Sequence, residues 1–127
     1  MKRRVAREKA LQALYQIDLG GADPAEALNH VLEDAKPDPF LQNLVEGILA
    51  NKKEIDEEIS KHLERWSIDR LAKVDVNILR IGVFELLFSD EVPDNVAINE
   101  AIEIAKLFGD EKSGKFINGI LSKISGE

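Results

Sequence analysis

The sequence predicts an all-α protein, and three observations support this fold class. No stretch of six or more residues alternates apolar and polar side chains, which is the pattern of a half-buried β-strand. Apolar residues recur instead at intervals of three and four, as on a helix that buries one face. Glycine and proline residues fall between these segments, where helices end and begin. The pattern indicates six main helices and one short one.

Residues 3–19 form the first predicted helix, which is amphipathic. Gly20 and Gly21 follow it and are expected to end it, because glycine is common just after a helix. The side chains expected to be buried form one stripe along the helix: Ala6, Ala10, Ala13 and Ile17.

Two helices with clear amino-terminal signals follow. Asp23 is the expected cap of a helix over 24–35, which has proline at its first position. Asp38 is placed in the same way before a long helix over 39–65. The polar face of that long helix carries three acids that we expect to be solvated: Asp56, Glu57 and Glu58.

The carboxy-terminal half contains a connector and three helices. Residues 66–71 are expected to form a short helical turn. Residues 74–88 are apolar almost all round, so this helix is predicted to lie at the centre of the fold. Two amphipathic helices complete the chain, over 95–108 and 111–125.

The composition excludes several classes of site. The chain has no cysteine, which removes disulfides, thiolate nucleophiles and cysteine-based metal sites. His30 and His62 lie far apart in the sequence and form no ligand pair. No window approaches the ~18 apolar residues of a membrane span, and the basic amino terminus lacks the apolar run of a signal peptide. We therefore expect a cytoplasmic protein without a metal or cofactor.

One segment matches a phosphate-binding loop by spacing alone. Gly109–Phe116 fits the pattern G-x-x-x-x-G-K, but Phe116 stands where Ser or Thr would bind Mg²⁺. Two acids lie inside the segment, and it follows a predicted helix instead of a strand. We therefore expect a turn between helices. Because the sequence offers no nucleophile, metal cluster or cofactor loop elsewhere, an enzyme is not expected.

The charge is distributed unevenly along the chain. The first ten residues contain five basic residues and one acid, a net charge of +4, which leaves −11 for the rest of a chain whose net charge is −7. A basic end on an acidic body suggests a polyanionic partner, and the alternative is a basic tail that is only solvated.

The first helix offers a surface suited to RNA. At ~3.6 residues per turn, Arg4 and Tyr15 lie within about 20° of each other, and Arg7 lies on the same side, roughly opposite the alanine stripe. Arginine binds phosphates through two N–H groups and an aromatic ring stacks on unpaired bases, which favours single-stranded RNA over a duplex. The alternative is that Tyr15 is half-buried and the arginines are only solvated. On the RNA hypothesis, changing Arg4 and Arg7 to alanine should weaken binding with little loss of stability.

Three segments carry a resemblance to a known family. The first covers residues 6–15 and the second 79–87; the third covers 92–106 and continues in 108–109 and 113–121. Together they resemble the NusB family of bacterial transcription antitermination factors. The resemblance covers nearly the whole chain, and the third segment is the most specific.

The resemblance implies one domain over 1–127, built from two roughly perpendicular helix bundles over 1–65 and 66–127. It implies a non-catalytic protein that pairs with NusE, a ribosomal protein of the small subunit, and binds the boxA element of nascent single-stranded RNA. The pair would act in the RNA polymerase antitermination complex, notably on ribosomal RNA operons. A homodimer is also compatible with the family.

The resemblance also assigns residues to the RNA surface. It places a base at Tyr15 and phosphates at four amino-terminal cations: Lys2, Arg3, Arg4 and Arg7. Four further residues match positions of that surface: Asp75, Phe108, Lys112 and Phe116. Lys112 departs from the family's pattern, which has Asp there, so a phosphate contact would replace a base contact. Glu85 in the central helix is expected to face NusE.

Two other functions are open from the sequence. A helix bundle that binds other proteins would use the apolar surface around the helix of residues 78–88, and its basic end would bind an acidic protein. NusB-like domains also occur attached to ribosomal RNA cytosine methyltransferases, so a detached RNA-binding domain is the second alternative.

Overall fold

A computed structural model describes all 127 residues, and it confirms the all-α prediction. The chain forms seven α-helices and no strand. In chain order the helices are α1 (Arg3–Gly20), α2 (Pro24–Leu32), α3 (Pro39–Ala50), α4 (Lys52–Ser60), α5 (Lys73–Leu87), α6 (Asp94–Phe108) and α7 (Ser113–Ser125). One turn of 3₁₀ helix, Ile68–Arg70, lies in the predicted connector. None of the helices combines the length and the apolar composition that a membrane crossing requires.

The predicted helix signals act as expected at the first three helices. Gly21 has a φ of 66°, in the left-handed region that favours glycine, and it ends α1. Asp23 Oδ2 accepts the N–H of Ala25 at 3.2 Å at the start of α2. Asp38 Oδ1 accepts the N–H of Leu41 at 3.0 Å at the start of α3. Each carboxylate satisfies a backbone donor that has no partner within its own helix.

The predicted continuous helix over 39–65 is wrong. α3 and α4 meet at Asn51, whose φ of −113° and ψ of 17° are not helical. The Asn51 side-chain amide donates to the carbonyl of Gly47 at 2.8 Å and so competes with the backbone for its helical partner. The apolar spacing continues through the break, because Ile48 before it and Ile55 after it are both fully buried. Hydrophobic periodicity therefore cannot locate this helix end.

The central position predicted for residues 74–88 is confirmed. α5 packs against α1, α3, α4, α6 and α7. One continuous cluster of 24 buried apolar residues joins the two halves of the chain, and it includes Ala10 of α1, Leu79 of α5 and Leu121 of α7. This single core contains side chains from both sides of the predicted boundary between residues 65 and 66. The division into two bundles at that point therefore stays a prediction.

Two pairs of contacts set the directions of the helices that carry the predicted site. Arg7 of α1 pairs with Glu85 near the end of α5, whereas Asp18 of α1 lies 3.9 Å from Lys73 Nζ at the start of α5. α1 and α5 are therefore antiparallel. α6 and α7 form a helical hairpin, closed where the Ser125 hydroxyl donates to Asp94 at 2.7 Å.

We expect opposite effects from alanine at two helical glycines. A Cβ on Gly47 would overlap the Phe84 ring where α3 meets α5, whereas a Cβ on Gly119 of α7 would meet nothing within 4 Å. Gly119→Ala should raise the free energy of unfolding by about 0.5–1 kcal/mol, because alanine is the better helix former. Gly47→Ala should lower it, because overpacking costs about 1–3 kcal/mol. Urea denaturation of both variants checks this, and equal gains in stability would contradict the packing at Gly47.

Candidate nucleic-acid interface

The first turn of α1 lies against α6 and the loop before it. Arg4 donates two hydrogen bonds to the carboxylate of Glu100, from Nε at 3.1 Å and from Nη2 at 2.6 Å. Arg3 donates to Glu91 at 3.1 Å, and its guanidinium lies 4.7 Å from the centre of the Phe40 ring. Lys2 precedes the helix and is exposed. The exposed cations predicted at this end are therefore present, and two of them are already paired with carboxylates.

Arg7 is not part of that exposed surface, so the expectation that its side chain faces solvent is wrong. Only 3% of the residue is exposed. Its Nε and Nη2 donate to the two carboxylate oxygens of Glu85 at 2.8 and 2.9 Å, and its Nη1 donates to Glu100 at 3.4 Å. Its guanidinium also lies 5.2 Å from the Phe40 ring centre. A guanidinium held in this way has little left to offer a phosphate.

The same pair corrects the expectation for Glu85. This carboxylate is fully buried among the residues around Arg7, so in this conformation it faces no partner. The buried face of α1 is wider than the alanine stripe, and the sequence contains a signal for this extra width. Leu11 and Leu14 are both buried and stand four and seven residues after Arg7, which places Arg7 in the same sector.

Tyr15 and Asp75 lie at the other end of the antiparallel pair of α1 and α5. Tyr15 is 38% exposed, so the ring is accessible as predicted. It stands about 16 Å along the helix axis from Arg4, at ~1.5 Å per residue. Asp75 lies in the first turn of α5 and is half-buried. The Asp18–Lys73 contact brings these ends of the two helices together.

Next to that end, a buried polar cluster surrounds Arg80 of α5. The guanidinium donates to both oxygens of Asp56 at 2.8 and 3.0 Å, to Asp18 at 3.2 Å and to the Asn77 side chain at 3.0 Å. The expectation that Asp56 is solvated is therefore wrong, because its carboxylate neutralises a buried arginine. This cluster ties α1, α4 and α5 together.

The remaining predicted residues lie at the corner between α6 and α7. Phe108 ends α6 and is exposed, Lys112 just before α7 is exposed, and Phe116 in the first turns of α7 is half-buried. The corner is held by Asp110, whose Oδ1 accepts the N–H of Lys112 at 2.8 Å, and by Ser113, whose Oγ accepts the N–H of Asp110 at 3.0 Å. The segment is thus a turn between two helices, as expected. The Asp110 carboxylate binds a backbone N–H of the turn, whereas a phosphate-binding loop would offer such donors to the phosphate.

Two shallow depressions along α6 connect Arg4 with this corner. The first, of about 470 Å³, has Arg4, Glu100 and Lys106 in its wall. The second, of about 670 Å³, is lined by Lys106 and Lys115 and by the corner residues, among them Asp110 and Glu111. Because both share Lys106, they form one surface on which cations lie among carboxylates, and Lys106 is itself paired with Glu103 at 3.2 Å. Lys106 and Lys115 were missed by sequence analysis, since nothing in their local pattern distinguishes them from solvated lysines.

The ion pair at Arg4 is fully charged at neutral pH. The hydrogen bond from Arg4 is the main cause that holds the pKa of Glu100 below its usual range; partial burial opposes it, and the nearby charges of Arg4 and Arg7 add to it. The same hydrogen bond raises the pKa of Arg4 above its ordinary value. Any phosphate that binds Arg4 through its Nε edge must therefore displace a carboxylate.

Comparison with known proteins identifies the family. The model of the NusB family matches residues 4–126. The chain belongs to the NusB family. The transcription antitermination protein NusB of Bacillus licheniformis is 54% identical over 127 residues, which is 100% of this chain and 98% of that protein. NusB of Listeria monocytogenes is 53% identical, with the same coverage.

Solved NusB structures share the fold. NusB of T. maritima superimposes with a TM-score of 0.92 at 40% identity, over 100% of this chain and 92% of that one. NusB from a complex of the antitermination factors NusB and NusE with dsRNA has a TM-score of 0.89 at 38% identity, over 98% and 96% of the two chains. These findings confirm the predicted family and its non-catalytic role. The roles of the individual site residues stay predictions.

We expect the two arginines that meet Glu100 to differ sharply in their contribution to stability. Arg7→Ala should lower the free energy of unfolding by about 3–5 kcal/mol, because it leaves the buried Glu85 carboxylate without a partner. Arg4→Ala should lower it much less, because the Arg4 side chain is exposed and solvent screens its ion pair with Glu100. Thermal and urea denaturation of the two variants measures the difference. Similar losses would show that Arg7 is not held as described.

The stability contribution of Glu100 should depend on pH in a defined direction. Its pKa is lower in the folded chain than its ordinary value of 4.5, so the folded state favours the ionised carboxylate. The contribution is therefore complete above pH 4.5 and is lost as the pH falls through the folded pKa. The difference in Tm between the wild type and Glu100→Gln should be constant at neutral pH and shrink in acid. A difference that is independent of pH down to 3 would contradict the ion pair.

Proposed function

We propose that this chain is a transcription antitermination factor of the cytoplasm that binds boxA-like RNA together with NusE. The observation that carries the proposal is full-length similarity, at 54% identity, to a NusB antitermination protein. A related NusB has been crystallised with NusE and RNA, which supports both partners. The basic end of α1, beside the surface along α6, supplies a place where RNA phosphates can bind.

The exposed aromatic rings favour unpaired RNA bases. Tyr15 on α1 and Phe108 at the end of α6 are both accessible, and a ring stacks most readily on a base that has no neighbour in a duplex. The related NusB–NusE complex contains dsRNA, so a duplex of the same sequence is the necessary competitor in any binding experiment.

Each predicted RNA residue has a role that fits its position. Exposed cations, namely Lys2, Arg3, Arg4 and Lys112, would bind phosphates, and accessible rings, namely Tyr15, Phe108 and Phe116, would stack on bases. Asp75 would accept a hydrogen bond from a base. Arg7 takes a different role from the one first expected. It is a positioning residue that fixes the first turns of α1 through Glu85 and Glu100.

The acidic body explains why a partner is needed. The net charge of the chain is −7, so RNA is repelled except near the local basic surface. Four or five phosphate contacts with single-stranded RNA give a slope of log K against log salt of about −3, so only a few contacts hold the RNA. NusE would add contacts on a joint surface and raise both affinity and specificity.

We expect Arg4→Ala to weaken binding of a boxA-like RNA and to make the slope of log K against log salt less steep by ~0.7, the value for one lost phosphate contact. Anisotropy of labelled RNA, measured with and without NusE at several salt concentrations, gives the slope directly. Lys53→Ala is the control, because Lys53 is likewise an exposed cation but lies on α4 and forms no ion pair.

Two results would contradict the proposal. If the wild type together with NusE binds no RNA at low salt, the basic surface serves a protein partner instead. If Lys53→Ala reduces affinity as much as Arg4→Ala, the attraction is only that of net charge and not of the surface beside α6.

A further inference from the structure

A third depression, of about 330 Å³, lies between the segment after α4 and the outer face of α7. Trp66 and Phe116 of α7 both line it. Trp66 is 56% exposed, more than Tyr15 or Phe108, although indole is among the side chains that gain most from burial. An aromatic side chain left in solvent beside a groove is a feature of surfaces that bind something.

The charge of this groove is opposite to that of the molecule. Arg65, Lys115 and Lys123 line it, and its only carboxylate is Glu64. Glu64 neutralises little, since it is largely exposed and 4.0 Å from Lys123. Cations in the same groove as an exposed ring provide what single-stranded nucleic acid requires, phosphate contacts beside a stacking platform.

The groove also continues the surface described above. It shares Lys115 with the depression at the α6–α7 corner, which in turn shares Lys106 with the depression beside Arg4. Phe116, one of the predicted RNA residues, belongs to the groove itself. A strand that leaves Arg4 along α6 and passes the corner therefore reaches Trp66 along one continuous surface, where Lys106 and Lys115 lie among the carboxylates of Glu103, Asp110 and Glu111.

We propose that Trp66 stacks on an unpaired base of the bound RNA, with Arg65, Lys115 and Lys123 at the flanking phosphates. This inference rests on the proposed function and extends its RNA path beyond the corner between α6 and α7. Single-stranded RNA fits the groove better than an acidic peptide, because the groove is continuous with the cations and rings already assigned to RNA.

The experiment uses Trp66 as its own reporter, because it is the only tryptophan of the chain. The full-length chain is titrated with a boxA-like RNA while tryptophan fluorescence and the anisotropy of a label on the RNA are followed in parallel. Stacking should quench the indole with the same midpoint as the anisotropy change. Trp66→Ala should lower affinity about 5–150-fold, the range for one lost base–aromatic stack, and Trp66→Phe should restore most of it.

Charge variants separate the groove from the rest of the path. Lys115→Ala and Lys123→Ala should each reduce the salt slope by ~0.7, whereas Lys53→Ala, outside every depression described, should not. Because Trp66 and Lys123 are exposed, their variants should keep the thermal stability of the wild type.

The outcomes distinguish this inference from the function on which it rests. RNA binding seen by anisotropy with no change in indole fluorescence would overturn the role of Trp66 and leave the proposed function intact. Loss of NusE binding in Trp66→Ala, with RNA affinity unchanged, would assign the groove to protein and would also overturn the inference. Absence of RNA binding by the wild type, even with NusE present, would remove the proposed function and this inference with it.

Discussion

The buried ion pair between Arg7 of α1 and Glu85 of α5 determines where the amino-terminal cations can lie. Two charges taken out of water are costly unless their hydrogen bonds are satisfied. Here both carboxylate oxygens of Glu85 are bound by one guanidinium, and the remaining end of that guanidinium reaches Glu100. The geometry admits one register between α1 and α5. Glu100 then binds Arg4 one turn earlier, so a buried contact fixes the position of an exposed arginine.

This arrangement also explains how an acidic protein can present a surface to a polyanion. Arg3 and Arg4 are exposed, yet each is paired with a carboxylate, Glu91 and Glu100 respectively. A phosphate that binds one of these arginines then replaces a carboxylate. The net gain in binding free energy is small and depends strongly on geometry. A surface of this kind binds weakly by itself and gains specificity from a partner that adds contacts along the same strand.

Helix caps and helix ends marked by a local residue signal were predictable from the sequence, whereas a break inside a continuous apolar pattern and the burial of a charged side chain were not. The helix starts at Asp23 and Asp38 and the end at Gly21 were predictable, because each signal acts within one turn of the helix. The break at Asn51 was not, since the buried apolar pattern runs through it unchanged. The burial of Arg7 was not predictable from α1 alone, because its partner Glu85 lies 78 positions away. On a helix an arginine between leucine positions is buried only if some other element supplies a carboxylate.

The function was predictable in a different way, because three segments of the sequence resemble a known family. A resemblance of this kind assigns roles only to positions that the family's pattern contains. It therefore named Phe108 and Phe116 and passed over Trp66, Lys106 and Lys115. What brings these residues onto one surface is the tight corner at Gly109. A Cβ there would overlap the Ser113 side chain and crowd the carbonyl of Ala105, so only glycine lets α7 start so close to the end of α6. The hairpin that follows places Phe116 and Lys115 beside Trp66, from a segment about fifty residues earlier in the chain. A small residue in a turn thus decides which charges and rings an RNA strand would meet in sequence.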